Sequence, residues 1–538
     1  MSDYAKIRTP FLNMSFTPDV PSNALGPNEY NSGKNIEADV RGIKKIGGEQ
    51  LILSTIPGNV VFVDGGFRDA SNWVFIAATR EGKWYMLTAS GISNITPGVG
   101  ANPNVALSGY SDNVNITTSW VGSVFFINDG LRSPMYFLPT ATEIYLYDAA
   151  PNNYVWNYDV GVTATRAAFV RNFCSPNVGN ILIAGNITKD YAGGTTVNYP
   201  TTVRWSQAFA NTGVPATWMP TLSNVANEQE IPVRGPIVDG FFLGGNFYVC
   251  SYWDTVVFSP IAYQNSTAPV FGIRLLNQGR GLINNNCWTN TDANVYGVDS
   301  RDIWVFDGTN FNSLGNQKVR DYFFKNLSTT YSDRVFVVNN TQKNQIEVYY
   351  PDLTSTGWCN KMLSWRYDIN VWNAPKDITN ATDACETPRY ISGAFVYASR
   401  TITYAQGSTS GSQLIQTNTG NSFINSAPIP TLFERNNIFL QTDQGPVPYS
   451  SKVYIHRVLP EVAGTGNIDI TVGGSNSTAQ AAVYGQTGHT PVVTDNPWVT
   501  TQQNNVRTVS VKVESNDATN TWNLTALNWQ ATIVEDSF

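Results

Sequence analysis

The sequence predicts an all-β protein: a β-propeller with an additional antiparallel β-sandwich or platform domain. Three observations support this class. Most apolar runs are four to six residues long, rich in Val, Ile, Phe, Tyr and Trp, and bounded by Gly, Asn, Asp or Pro, which is typical of strands. The helical period of 3.6 residues is nearly absent. Only 14% of the 538 residues are charged and 12% are aromatic, which argues against coiled coils, disorder and helical bundles.

Repeated hairpins favour a propeller over residues 41–404. The runs 73–79 and 83–88, joined by a turn that contains Gly82, predict one such hairpin. A looser unit recurs, an apolar run that ends on Asp or Asn before a turn, at 60–65, 124–130, 303–308 and 335–340. Radial closure of such hairpins leaves only short edges, whereas a flat sheet of this length would expose long ones. Tandem sandwiches are the competing arrangement.

Composition shifts predict the remaining boundaries. Residues 1–40 contain Pro, Ser and Asn with little periodicity and are predicted to be an extended arm. A Gly/Ser-rich break places a linker at 405–424. Residues 425–538 alternate along period two, which predicts an antiparallel β domain with one buried face. One amphipathic helix is predicted over 316–327.

Composition also disfavours several functions. The net charge of −7 gives no basis for sequence-specific binding of DNA. The five cysteines form no close pair, so neither a disulfide framework nor a zinc site is expected. No secretory signal and no apolar run long enough for a membrane helix is found, so we expect a protein made in a cytoplasm without stable membrane insertion.

No residue pattern indicates catalysis. Only His456 and His489 occur, and neither lies near a nucleophile motif. Glycoside hydrolysis is the main rival, since it needs only two carboxylates and tryptophans are abundant. Several aspartates lie at strand ends, where local turn chemistry also explains them: Asp64, Asp129, Asp299, Asp302 and Asp307. We expect no enzyme activity, no cofactor and no bound metal.

The middle of the chain carries an ordered set of motifs. They are residues 120–136 with Asn128-Asp129-Gly130, then Thr202-Val203-Arg204-Trp205-Ser206 followed by Trp218, then Val257-Phe258-Ser259-Pro260 and Pro269-Val270-Phe271, and finally 302–309 leading through Leu314-Gly315 into 319–324. This order resembles the tail-hub or tail-nozzle proteins of short-tailed bacteriophages, also called packaged-DNA stabilisation proteins. The resemblance covers about residues 40–375. The sequence departs from the family pattern at 128–130, where the family has Asn-Gly, and at 314–315, where it has Ile-Gly.

The resemblance implies a virion protein that forms a ring of six copies below the portal and the head-tail adaptor. Such a ring retains packaged DNA, conducts it during ejection without reading its sequence, and offers a docking surface for tail fibres or spikes. Candidate channel or gate residues are the polar segments with Asn227, Glu228, Glu230, Asn284, Asn285, Asn286, Asn339 and Asn340. Candidate adaptor-docking residues are Arg435, Arg457 and Arg507.

Two alternatives remain open at this point. One is a propeller that binds or hydrolyses glycans, either free or as a receptor-binding component of a phage. Its distinguishing feature would be a pair of carboxylates beside an exposed Trp in a pocket. The other is a head-tail adaptor or baseplate component, which differs from a tail hub only in its neighbours.

Overall fold

The first strands of the chain pair with strands near its other end. The structure is a computed structural model that describes residues 5–98, 107–111, 114–149, 154–261, 270–408, 411–442, 445–491, 498–500 and 505–535. The strand at Ala5–Pro10 pairs with Thr521–Glu535, and Glu49–Ile56 pairs with Ser412–Thr417. The amino-terminal strands are β1 (Ala5–Pro10), β2 (Ser15–Phe16), β3 (Glu29–Tyr30), β4 (Ser32–Lys34), β5 (Ile36–Asp39), β6 (Gly42–Lys45) and β7 (Glu49–Ile56).

Five four-stranded antiparallel sheets then follow one another, and within each sheet every strand pairs with the next one in sequence. This meander is the blade of a β-propeller. Blade 1 is β8 (Val60–Phe67), β9 (Trp73–Thr79), β10 (Trp84–Thr88) and β11 (Gly91–Asn94); blade 2 is β12 (Thr117–Val121), β13 (Val124–Asn128), β14 (Met135–Phe137) and β15 (Tyr145–Leu146); blade 3 is β16 (Val162–Ser175), β17 (Gly179–Tyr191), β18 (Thr196–Trp205) and β19 (Asn227–Glu230); blade 4 is β20 (Ile237–Leu243), β21 (Asn246–Ser251), β22 (Asp254–Pro260) and β23 (Phe271–Gln278); blade 5 is β24 (Trp288–Asn290), β25 (Val295–Val298), β26 (Ile303–Phe306) and β27 (Phe311–Ser313).

Two further blades share one long strand. Its first part, Lys376–Ala381, pairs with the preceding strand of blade 6, and the rest pairs with the next strand of blade 7. Strand β7 is the outermost strand of blade 7, so a strand from the amino-terminal region closes the ring. The elements are α1 (Arg320–Asn326), a 3₁₀ turn (Ser332–Arg334), β28 (Phe336–Asn340), a second 3₁₀ turn (Thr341–Lys343), β29 (Gln345–Tyr350), β30 (Cys359–Arg366), β31 (Val371–Trp372), β32 (Lys376–Ile391), β33 (Ala394–Gln406) and β34 (Ser412–Thr417).

Buried apolar clusters fill the spaces between all seven pairs of neighbouring blades. Trp84 and Phe125 belong to the cluster between blades 1 and 2. Phe75 of blade 1 shares a cluster with Leu414 of blade 7, which completes the circle. Each blade therefore buries both faces, which explains why its strands contain almost continuous Val, Ile, Phe and Tyr rather than a strict alternation. The predicted β-propeller is confirmed, and it has seven blades.

The second domain is an antiparallel β-sandwich built from both ends of the chain. One sheet has the order β41-β38-β43-β6-β5, with β1 also on β43, and the other has the order β4-β35-β42-β39-β40. Phe433, Ile455 and Trp529 of this domain share one buried cluster with Trp304 of blade 5. Its strands are β35 (Thr431–Ile438), β36 (Gln441–Thr442), β37 (Gly445–Pro446), β38 (Ser451–Thr465), β39 (Asn467–Ser475), β40 (Val483–Pro491), β41 (Val499–Thr500), β42 (Thr508–Ser515) and β43 (Thr521–Glu535), preceded by a 3₁₀ turn (Ile424–Ser426).

The structure differs from the predicted boundaries at both ends of the propeller. Three strands of the segment predicted as an extended arm, β1, β4 and β5, belong to the sandwich sheets. Two of them, β1 and β4, pair with strands more than 390 residues away, as Lys34 does with Leu432. The predicted linker 405–424 contains β34, which belongs to blade 7. The predicted helix is present but begins at Arg320, where the carboxylate of Asp19 accepts hydrogen bonds from the Asp321 and Tyr322 amides.

A titratable group lies on the strand that closes the ring. Glu49 of β7 is buried, and its carboxylate accepts hydrogen bonds from the Tyr404 hydroxyl at 2.7 Å and the Thr379 hydroxyl at 3.1 Å. Burial raises the pKa of Glu49 to about 7, although these hydrogen bonds oppose the shift. Because the folded pKa lies above that of an unfolded glutamate, the protonated form of Glu49 favours the folded state. This stabilisation is complete below the pKa of an unfolded glutamate and is lost as the pH rises through about 7.

Glu49→Gln is therefore expected to make stability less dependent on pH. Glutamine can still accept from Tyr404, and its amide can donate to Thr379. At pH 8 we expect the variant to be more stable than the wild type by on the order of 3 kcal/mol, and below pH 4.5 the two should be equal. Urea unfolding at both pH values measures this difference. Equal stability at pH 8 would contradict the expected shift.

Candidate functional site

The innermost strands of the blades surround a polar cavity on the propeller axis. The cavity has a volume of about 400 Å³, which falls in the range of small-ligand sites. Six blades contribute to its wall. Its polar lining residues are Asp64, Thr118, Arg171, Asn286, Thr289, Asn290 and Asp383, and Trp288 contributes an aromatic ring.

A guanidinium-carboxylate pair anchors one side of this axial cavity. Arg171 of β16 donates from Nε and Nη2 to the two carboxylate oxygens of Asp239 at 2.9 and 2.5 Å. It also donates to the Thr118 carbonyl and to Oδ1 of Asn286. The Trp288 indole donates to Asp239 at 2.9 Å, and the Arg171 guanidinium lies 5.3 Å from the Trp288 ring centre. The charge of Arg171 is thus already matched by Asp239.

Two other carboxylates line the cavity without such a partner. Asp64 accepts from the Gly65 amide and the Thr118 hydroxyl, both at 2.7 Å. Asp383 accepts from the Val63 amide at 3.1 Å and the Ala384 amide at 2.9 Å. Among the described residues, no Lys or Arg forms an ion pair with either carboxylate. Burial raises the pKa of Asp64, and burial together with the charge of Asp64 raises the pKa of Asp383 to about 8.

A second, narrower cavity meets the first. The two share Phe62, Asn286, Phe336 and Asp383. The second cavity extends towards Arg334, whose guanidinium lies 4.9 Å from the Tyr331 ring centre and 5.4 Å from that of Trp358. Asp383 therefore stands at the junction of the two cavities.

The asparagines predicted to gate a channel lie inside the propeller rather than on exposed loops. Asn284 and Asn285 are buried, and their amides donate to the carbonyls of Val335 and Ala168. Asn286 adopts a left-handed backbone with φ of 63° and lines the axial cavity. These residues connect the segment that enters blade 5 to several other blades, because backbone carbonyls near the axis need donors that the sheets do not supply.

Asn339 and Asn340, the other asparagines predicted to gate a channel, also make hydrogen bonds within the chain. Asn340 is buried, donates to Glu347 at 2.8 Å and accepts from the Lys343 amide, so it caps the 3₁₀ turn at Thr341–Lys343. The Asn339 amide donates to the carbonyl of Asn290, and its Oδ1 is buried without a hydrogen-bond partner among the described residues.

The predicted acidic turn at 227–230 is a strand, β19, on the outer edge of blade 3. Asn227 and Glu230 are exposed there. Glu228 points towards the blade, where it accepts from Arg204 Nε at 2.6 Å and from Lys189 at 2.9 Å. The charge of Glu228 is therefore engaged within the chain.

The three arginines predicted to dock an adaptor have different surroundings. Arg435 is buried, its Nη2 donates to the Gly26 carbonyl at 3.4 Å, and burial lowers its pKa to about 10. It is therefore not a surface group. Arg457 lies 4.3 Å from the ring centre of Trp498, and Arg507 lies 5.6 Å from that of Tyr449. These two present stacked guanidinium groups on the sandwich domain.

Sequence reasoning did not single out Arg171, Asp239 or Asp383, and it interpreted Asp64 as a turn residue. A usable signal is present: Val63-Asp64-Gly65 in β8 and Val238-Asp239-Gly240 in β20 place the same tripeptide on two innermost strands. In both, the aspartate accepts from the following glycine amide. An aspartate inside an apolar strand, rather than after it, marks the axis.

Two kinds of site are not found in the described part of the chain. It contains no group of three or more His, Cys, Asp or Glu side chains arranged to hold a metal ion. Within the same residues, no helix is long and apolar enough to cross a membrane.

Comparisons with known proteins give distant likenesses. No protein-family model matches the sequence, and no curated protein does. The fold is similar to the crystal structure of RRP9 WD40 repeats, with 6% identity, 70% of this chain and 99% of that chain covered, and a TM-score of 0.38. It is also similar to the computationally designed Ika8 protein, with 9% identity, 69% and 100% covered, and a TM-score of 0.33.

Proposed function

We propose that this protein is a structural subunit of a short-tailed bacteriophage virion, a tail hub or nozzle that forms a ring below the head-tail adaptor. In this role it retains packaged DNA and conducts it during ejection, without catalysis. The observation that carries the proposal is the ordered run of family-like motifs, which occupies consecutive blades of one propeller.

Each motif has a definite structural role in that run. Residues 120–136 form the central hairpin of blade 2, and Arg204-Trp205-Ser206 ends β18 of blade 3. Residues 257–260 end β22 of blade 4. Residues 302–309 form β26 of blade 5 and its turn, and the chain then passes Leu314-Gly315 into α1. The motifs therefore specify blade ends and the one α-helix of the described residues.

Exposed apolar side chains support the proposal that the protein forms an oligomer. Val160 is 99% exposed and Leu222 is 80% exposed on blade 3. Tyr252 and Trp253 are exposed together on blade 4, and Ile391 and Tyr397 lie on the β32–β33 hairpin. Large exposed apolar and aromatic groups are typical of surfaces that become buried between subunits. Because ring contacts are heterologous, different faces of one subunit must supply them.

The glycan alternative depends on a carboxylate pair beside an exposed Trp. Asp64 and Asp383 line the axial cavity, but the Trp288 ring there is covered by Arg171 and its indole nitrogen donates to Asp239. Trp253 and Trp498 are exposed elsewhere, and Trp498 is stacked by Arg457. Trp358 lines the adjoining cavity and lies under the Arg334 guanidinium. Among the described residues, therefore, no open aromatic platform lies beside the two carboxylates, which favours the structural role.

The experiment that separates the two classes compares two binding partners. The purified chain is incubated with the portal-adaptor complex from the same genome and, separately, with a glycan array. We expect the chain to co-sediment with the complex and to leave the array unlabelled. The proposal would be overturned if the chain bound a glycan saturably and did not bind the portal-adaptor complex.

A further inference from the structure

The axial cavity has an excess of negative side chains. Asp64, Asp239 and Asp383 approach it, whereas Arg171 is the one cationic group among its described lining residues. All three guanidinium nitrogens of Arg171 already donate, to Asp239, Asn286 and the Thr118 carbonyl, so Arg171 makes no direct ion pair with Asp64 or Asp383, and its charge only partly offsets the effect of burial on their pKa values. Asp64 and Asp383 therefore face the cavity with backbone amides and a hydroxyl as their partners.

We propose that this cavity binds an organic cation, a guanidinium or alkylammonium group, between Asp64 and Asp383. The inference rests on the cavity alone and is independent of the proposed role in a phage tail. The same chemistry could be presented by a small free cation or by an Arg or Lys side chain of a protein segment.

The wall of the cavity suits a ligand with several N–H donors. Besides the two carboxylates, the wall includes Thr289 and Asn290, whose side-chain oxygens are hydrogen-bond acceptors. A guanidinium carries five N–H donors and no acceptor, and an ammonium carries three. A metal ion is a poorer fit, since no described group of three acidic, His or Cys side chains could hold one.

Cation binding should be coupled to proton release. The charged and titratable groups around Asp383 are Asp64 of blade 1, the Arg171–Asp239 pair, Asp333 and Arg334 beside the second cavity, and the thiols of Cys359 and Cys385. With a pKa of about 8, Asp383 retains its proton at pH 7. A positive charge beside the carboxylate lowers its pKa, so binding would expel this proton into the buffer.

The test is isothermal titration calorimetry of the full chain with two probes. Ethylguanidinium represents a free cation, and the blocked peptide acetyl-Gly-Arg-Gly-amide represents a side chain. Titration at pH 7 in two buffers of different ionisation enthalpy counts the protons released. The test variant is Asp64→Asn, whose Oδ1 can still accept from Gly65 while its amide donates to the Thr118 oxygen. The matched control is Asp307→Asn in an exposed turn of blade 5.

We expect saturable binding of at least one probe, release of protons, and affinity about tenfold or more weaker in Asp64→Asn. Asp307→Asn should bind as the wild type does. Binding of both probes identifies a free cation as a sufficient ligand, and binding of the peptide alone identifies a protein segment. The inference is overturned if neither probe saturates, or if Asp64→Asn binds unchanged. If Asp64→Asn does not fold, binding to the wild type without proton release also overturns it.

Discussion

Replacing Glu37 with alanine is expected to lower the free energy of unfolding by about 3–5 kcal/mol, because it removes the counter-ion of the buried Lys376 and the half-buried Lys343. Glu37 of β5 is 3% exposed. Its carboxylate lies 2.9 Å from Nζ of Lys343, 3.2 Å from that of Lys376 and 3.6 Å from that of Lys44. Lys376 is itself only 4% exposed. This cluster joins the amino-terminal segment to blades 6 and 7.

The protonation states follow from the same contacts. Burial opposes ionisation of Glu37, but Lys343, Lys376 and Lys44 outweigh it and hold its pKa well below the ordinary value. Because its pKa is lowered in the folded state, ionised Glu37 stabilises the fold at pH values above the pKa of an unfolded glutamate. This stabilisation is lost as the pH falls through the pKa of Glu37 in the folded protein. Burial lowers the pKa of Lys343 to about 8 despite Glu37.

Urea unfolding at pH 7 measures the effect of Glu37→Ala. The matched control is Glu461→Ala, which removes the exposed pair between Arg8 and Glu461 at 2.7 Å and should cost under about 1 kcal/mol. We also expect the difference in unfolding free energy between wild type and Glu37→Ala to become smaller in acid. Similar losses in Glu37→Ala and Glu461→Ala at pH 7 would contradict a buried, stabilising role for Glu37.

Arg204→Lys is the second change with a large expected effect. Arg204 is fully buried in blade 3 and donates to the Glu228 carboxylate, the Trp156 carbonyl at 2.9 Å and Asp159 at 2.8 Å. Its guanidinium lies 4.4 Å from the Tyr158 ring centre and 5.2 Å from that of Trp156. A lysine ammonium cannot reproduce the planar fork or both ring contacts. We expect a loss of about 3 kcal/mol.

Thermal and urea unfolding of Arg204→Lys test this expectation against Arg400→Lys. Arg400 pairs with Glu386 at 3.1 Å but is 59% exposed, so its replacement should change stability by less than about 1 kcal/mol. Because Arg204 belongs to the Arg-Trp-Ser motif, the result also bears on why that motif occurs. If Arg204→Lys were as stable as Arg400→Lys, a structural explanation of the motif would fail.

Local features of the fold could be predicted because they depend on neighbouring residues. The hairpin with Trp73–Thr79 and Trp84–Thr88 follows from apolar spacing and turn residues. The same spacing predicts the buried Phe323 of α1 and the buried residues that flank the helix, Val319 and Leu327. The strands of the sandwich likewise follow from their alternation.

Long-range features could not be predicted from periodicity. Short runs such as Ser32–Lys34 carry little signal alone and gain their structure by pairing with β35. The polar groups on the axis were missed for a related reason. Asn284–286 look like a solvated loop in sequence, and only the closed ring brings them to the carbonyls of other blades. Arg435 likewise looks like a strand-end charge until residues of the amino-terminal segment cover it.

The central claim, a ring-forming tail hub, is tested most directly by the mass and shape of the assembled protein. Mass photometry and negative-stain imaging would be applied to the full chain, alone and with the portal-adaptor complex from the same genome. The account predicts a closed ring, either spontaneously or on the adaptor, with a mass of six subunits of 59.1 kDa. A chain that stays monomeric in both conditions would contradict it.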